Sequence, residues 1–101
     1  MLFARMSVWK FKLGQREKGL NKLDESISNV ARTTKGFHGF MQLLSDDAPD
    51  CATIITLWES EDALKASAKG VFKDATKMLE QYVDSPPSVS NFKVTDVELR
   101  I

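Results

Sequence analysis

The sequence predicts an α+β fold of the ferredoxin-like kind: a four-stranded antiparallel sheet with two helices on one face. Three observations carry this expectation. Apolar residues recur at period two in four stretches and at spacings of three and four in two others, in the order βαββαβ. A turn of Asp, Ala and Pro at 46–50 makes the middle two strands a hairpin. Right-handed crossovers then bring both helices to the same side of the sheet. A chain of 101 residues suits one domain spanning 1–101.

The first strand is read from LFARMSVWKFKL (2–13). One side carries Leu2, Ala4, Met6 and Val8, and the other carries Phe3, Arg5, Ser7, Trp9 and Phe11. Both sides are largely apolar, so both are expected to be covered. Gly14 breaks the strand. From Gln15 to about Thr33, Leu20, Leu23, Ile27 and Val30 form one helical stripe. The stretch TTKG closes that helix, with Gly36 free to take a positive φ. FHGFMQLLS (37–45) and CATIITLWE (51–59) are the hairpin strands, the second rich in β-branched residues. Ser60 is a suitable N-cap, and Glu61 and Asp62 suit the positive end of a helix dipole.

The second helix is expected to run to about Val83, burying Leu64, Ala68, Val71, Phe72, Ala75, Met78, Leu79 and Tyr82, with Gly70 as a weak point. DSPPS (84–88) stops it, and VSNFKVTDVELRI (89–101) alternates as the last strand. Two helices cover only one sheet face. The third strand nevertheless puts Ile55 and Leu57 opposite Ile54 and Trp58. An open apolar face of this kind predicts a partner, most simply a second copy related by a two-fold axis. The expected assembly is a homodimer through the open sheet face, a closed barrel-like pair.

Composition excludes several function classes. Fourteen basic residues balance fourteen acidic ones, without the basic stripe that nucleic acid requires. No run of about 20 apolar residues could span a bilayer, and the N-terminus lacks a signal-peptide block. The single cysteine, Cys51, fits a reducing interior and reads as a small apolar residue. The expectation is a soluble cytoplasmic protein with neither nucleic acid nor membrane as partner. One histidine and one cysteine are too few for a structural zinc site, and no phosphate or dinucleotide glycine loop is present. No metal, flavin or nicotinamide is therefore expected.

A few side chains carry chemistry. His38 is the only imidazole, placed on a strand where a fixed hydrogen-bonding role is the plainer reading. Trp58 ends the third strand, either as core or as a pocket wall. Arg5, Ser7 and Trp9 share one strand face. Under a covered face Arg5 would need an anion, whereas at a strand end or edge it would reach water.

The runs KGFHGFMQLLS and ATIITLWESEDALKA resemble the antibiotic biosynthesis monooxygenase family of dimeric α+β barrels. A glycine-led strand, a hairpin, a strand ending in Trp-x-Ser and an acidic helix start carry the likeness over most of the domain. The resemblance implies one of several activities. Some members oxidise polycyclic phenols to quinones with molecular oxygen and no cofactor, and others degrade heme.

The run LWESEDALKASAKGVFKDAT resembles the heme branch, yet Ser7 stands at that branch's Asn. No Trp appears around Lys65, Ala66 and Ser67, and Thr76 stands where its iron-ligating His would be. Heme degradation is therefore not expected. The quinone-forming branch uses a Trp that Trp58 matches and an Asn on the same strand, where this chain has only Thr53 and Thr56 as polar residues. What the resemblance implies is a cofactor-free monooxygenase acting on an electron-rich aromatic. Trp58, His38 and Arg5 would be catalytic, and Ser7, Trp9 and Thr56 would bind substrate. The other reading is a non-enzymatic dimer that binds a small aromatic or apolar ligand or a protein partner.

Overall fold

The computed structural model describes residues 1–100. Its elements are β1 (Leu2–Lys10), α1 (Arg16–Thr33), β2 (Phe37–Leu44), β3 (Cys51–Trp58), α2 (Glu61–Lys69), α3 (Val71–Met78), a 3-10 turn (Glu80–Tyr82) and β4 (Ser88–Val94). The sheet is fully antiparallel in the order β2-β3-β1-β4, which is the ferredoxin-like arrangement.

Register assigns the two faces. Arg5 pairs with Thr56, Phe3 with Trp58, and Ser7 with Ile54, so these six side chains share the helix-covered face. Trp9 and Phe11 continue that face into a core with Leu20, Leu23 and Ile27 of α1, Ala75 of α3 and Leu79 directly after it. The opposite face carries no helix. On it Val8, Met41, Leu43 and Phe92 are 38%, 46%, 47% and 50% exposed.

Local chemistry explains the joints. Ser60 has extended backbone and its Oγ accepts from the Ala63 N–H at 3.0 Å, satisfying one orphan donor of α2. Gly36 lies at φ +88°, and a Cβ there would come within 2.7 Å of the Ala63 methyl. The chain thus makes a left-handed turn where α2 packs against the start of β2. Arg16 donates to the carbonyls of Ser45 and Cys51, tying α1 to the base of the hairpin.

Three expectations are revised. The second helix is interrupted at Gly70, which ends α2 and precedes α3 with φ −115° and ψ −102°. The break changes the helical phase, so Ser67 is buried in α2 while Ala68 and Met78 are exposed. β1 ends at Lys10, and Phe11 then forms an isolated bridge with Val83. β4 stops at Val94 because it pairs only with β1, and Leu2, the first residue of β1, lies opposite Val94. Residues 95–100 run past the end of their partner strand, and Ile101 lies outside the described residues. Cys51 is only half-buried, at the mouth of β3.

Two substitutions test these joints by urea unfolding. Ser60→Ala should cost about 1 kcal/mol with an unchanged m-value. Gly36→Ala should cost more, roughly 2–4 kcal/mol, since it adds a left-handed penalty to a steric conflict. Equal midpoints for the two variants would contradict the assigned contact at Gly36.

Candidate functional site

Between the covered sheet face and the helices lies a cleft lined by Arg5, Ser7 and Trp9 of β1, by Ile54, Thr56 and Trp58 of β3, and by Phe37. Leu23, Ser26, Ile27 and Val30 of α1 form one wall, and Val71, Phe72 and Ala75 of α3 form the other. The cleft has a cavity volume of only about 40 Å³. It is a narrow slot between aromatic walls.

Arg5 is the dominant charge in the slot. It stands in the middle of a central strand and is only 3% exposed. Among the described residues no carboxylate meets it. Its Nη2 donates to the Leu64 carbonyl at 2.8 Å and to Ser67 Oγ at 2.7 Å, both on α2. Ser67 in turn donates to the Leu64 carbonyl at 2.6 Å. The guanidinium lies 4.5 Å from the Phe72 ring centroid and 5.9 Å from that of Trp58. Neutral oxygens and π-faces thus hold a cation that burial disfavours. Desolvation lowers its pKa below the ordinary guanidinium value. For a base, this means the folded chain holds the proton less tightly than the unfolded one. The cost is therefore present at neutral pH and relieved only in strong alkali.

Both tryptophans are anchored in the same way. Trp9 Nε1 donates to Ser7 Oγ at 2.8 Å, and Trp58 Nε1 donates to Thr56 Oγ1 at 2.9 Å. In each case the acceptor sits two residues earlier on the same strand face, where the pleat brings it alongside. Ser7 makes a long bond to the Ile54 carbonyl at 3.4 Å. Edge-on contacts of Trp9 with Phe72 and of Phe37 with Trp58 complete the aromatic frame.

Of the residues singled out from sequence, Arg5, Ser7, Trp9, Thr56 and Trp58 therefore line one slot. His38 does not. Strand β2 slips register between Phe37 and Gly39, and His38 is the extra residue of that bulge, exposed to solvent. Ser67 was missed. Its signal was a small polar residue three positions after Leu64 and four before Val71, on an otherwise apolar stripe.

The slot does not fit heme. Thr76 spends its hydroxyl on the Phe72 carbonyl of its own helix, Ser7 is taken up by Trp9, and the only imidazole of the chain lies outside. Among the described residues no three His, Cys, Asp or Glu side chains cluster as a metal site. Likewise, no helix there is long and apolar enough to cross a membrane.

The fold and the slot together define a class: a ferredoxin-like domain with a buried cation in an aromatic cleft between sheet and helices. The chain belongs to the antibiotic biosynthesis monooxygenase family, whose model matches residues 2–85. No functionally curated protein matches the chain. Among solved structures, a protein of unknown function from Nitrosomonas europaea, NE2512, superimposes with a TM-score of 0.81 at 16% identity, covering 99% of this chain and 95% of its own. A Bordetella bronchiseptica protein, provisionally named an antibiotic biosynthesis monooxygenase, superimposes with a TM-score of 0.76 at 19% identity, covering 93% and 97%. Rv0793 from Mycobacterium tuberculosis gives a TM-score of 0.76 at 15% identity, covering 96% and 98%. At these identities the likeness concerns the fold alone.

If Arg5 serves a ligand rather than the fold, removing its charge should not weaken the protein. Arg5→Met keeps the volume and removes the desolvated cation. Thermal unfolding should show stability unchanged or raised by about 1 kcal/mol. A loss above about 2 kcal/mol would make Arg5 a structural residue.

Proposed function

We propose that this protein is a cofactor-free monooxygenase of electron-rich aromatic compounds, working as a homodimer joined through the open sheet face. The observation that supports it is the meeting of Arg5 and Trp58 in one slot lined by neither carboxylate nor imidazole. Phenols and anthrones become reactive toward oxygen once deprotonated. A buried cation favours that ionisation by stabilising the oxyanion, and aromatic walls orient the ring. In the net reaction a ring CH₂ becomes C=O. One oxygen atom of O₂ enters the carbonyl, and the other leaves with the two hydrogens as water, so the substrate supplies every electron. On this reading Arg5 holds the anion, Trp58 and Trp9 form the walls, and the Thr56 and Ser7 hydroxyls provide polar contacts. His38, on its exposed bulge, has no part within the slot.

Oxygen uptake tests this directly. Purified protein, with chelator and without flavin, is mixed with dihydroxy-aromatics and anthrones beside Trp58→Ala and Arg5→Ala. Uptake well above the buffer rate is expected, and each variant should reduce it by at least about tenfold. The narrowness of the slot favours a second reading, a dimer that binds a small aromatic ligand without turning it over. Saturable binding with no oxygen consumption across the panel would establish that alternative.

The homodimer has its own test. Sedimentation velocity should give twice the chain mass, and Val8→Glu, a charge on the open face, should give monomers that stay folded. A wild-type monomer at micromolar concentration would defeat this part of the proposal.

A further inference from the structure

Resting on the anion-holding role just proposed for Arg5, we infer that Ser67 is a positioning residue that makes the slot select anions with a single oxygen, such as phenolates, over carboxylates. A guanidinium grips a carboxylate through one of two parallel donor edges, Nε–H with Nη2–H or Nη1–H with Nη2–H. The atom Nη2 belongs to both edges. Here Nη2 already serves two acceptors on α2, the Leu64 carbonyl at 2.8 Å and Ser67 Oγ at 2.7 Å. Counted donor for acceptor, its capacity is used, and neither edge remains intact for a two-oxygen anion. Nε and Nη1 are left, and they do not form a parallel pair. A single oxygen can take either one, whereas a carboxylate must leave its second oxygen without a donor or break a bond to α2.

Ser67 controls this arrangement because its own proton is committed. It donates to the Leu64 carbonyl at 2.6 Å, so its oxygen faces Arg5 only as an acceptor. Both Arg5 and Ser67 are buried, which keeps water from substituting for the bond. Ser67 does not line the slot itself, so it acts on a ligand only through Arg5.

The experiment uses the quenching of intrinsic fluorescence. The chain has two tryptophans, and both line the slot. The probes are 4-nitrophenolate and 4-nitrobenzoate, of like size and both ionised at mildly alkaline pH. The wild type should bind the phenolate about tenfold or more tightly than the carboxylate, whose second oxygen would be buried without a donor. Ser67→Ala should bring the two affinities to within about threefold by strengthening carboxylate binding, and Ser67→Thr, which keeps the hydroxyl, should restore the preference. Loss of Ser67 as mere packing would weaken both probes alike and leave the ratio unmoved.

A wild type that prefers the carboxylate, a ratio unchanged in a folded Ser67→Ala, or no quenching by either probe would overturn the inference. No oxygen is consumed in this assay. Selectivity here, together with no oxygen uptake across the aromatic panel, would sink the monooxygenase reading and leave this one standing.

Discussion

The site is organised around a positive charge kept out of water without a negative one beside it. Arg5 sits on a central strand beneath the helices, and its partners are a main-chain carbonyl, a serine hydroxyl and two aromatic faces. Each of these eases the cost of desolvation, and none cancels the charge. Much of the surrounding structure follows from meeting that demand. Helix α2 brings Leu64 and Ser67 over the strand, its start is fixed by the Ser60 cap, and its approach to β2 requires Gly36.

The two tryptophan–hydroxyl pairs answer a related demand. A buried indole needs an acceptor for its N–H. On a strand, the residue two positions earlier supplies one without disturbing the sheet hydrogen bonds. Ser7 and Thr56 play that part, and being on neighbouring strands they set the two indoles on either side of the slot. The hydroxyls and the rings therefore form one unit, in which Thr56 also lies opposite Arg5 across the strand pair.

Much of this was legible in the sequence, and the reasons are physical. Period-two alternation in LFARMSVWK placed Arg5, Ser7 and Trp9 on a common face, because the pleat allows no other arrangement. Trp58 and Thr56 follow by the same rule. Alternation alone did not reveal which strands lie at the centre, and that decided between Arg5 reaching water and Arg5 buried. His38 illustrates the opposite case. Alternation assumes an unbroken ladder, and the bulge after Phe37 shifts the phase of everything near it. Ser67 escaped because the long helical stripe was extended through Gly70. Once the helix is broken there, the buried line in α2 runs through Leu64 and Ser67 rather than to Ala68.

The interruption at Gly70 also divides the labour of the helical cover. The segment that grips the guanidinium, α2, and the segment that contributes Phe72 and Ala75 to the wall, α3, are separate rods meeting at a residue without a side chain. On the proposed reading, a substitution in α3 would alter the wall of the slot and leave the charge where α2 holds it.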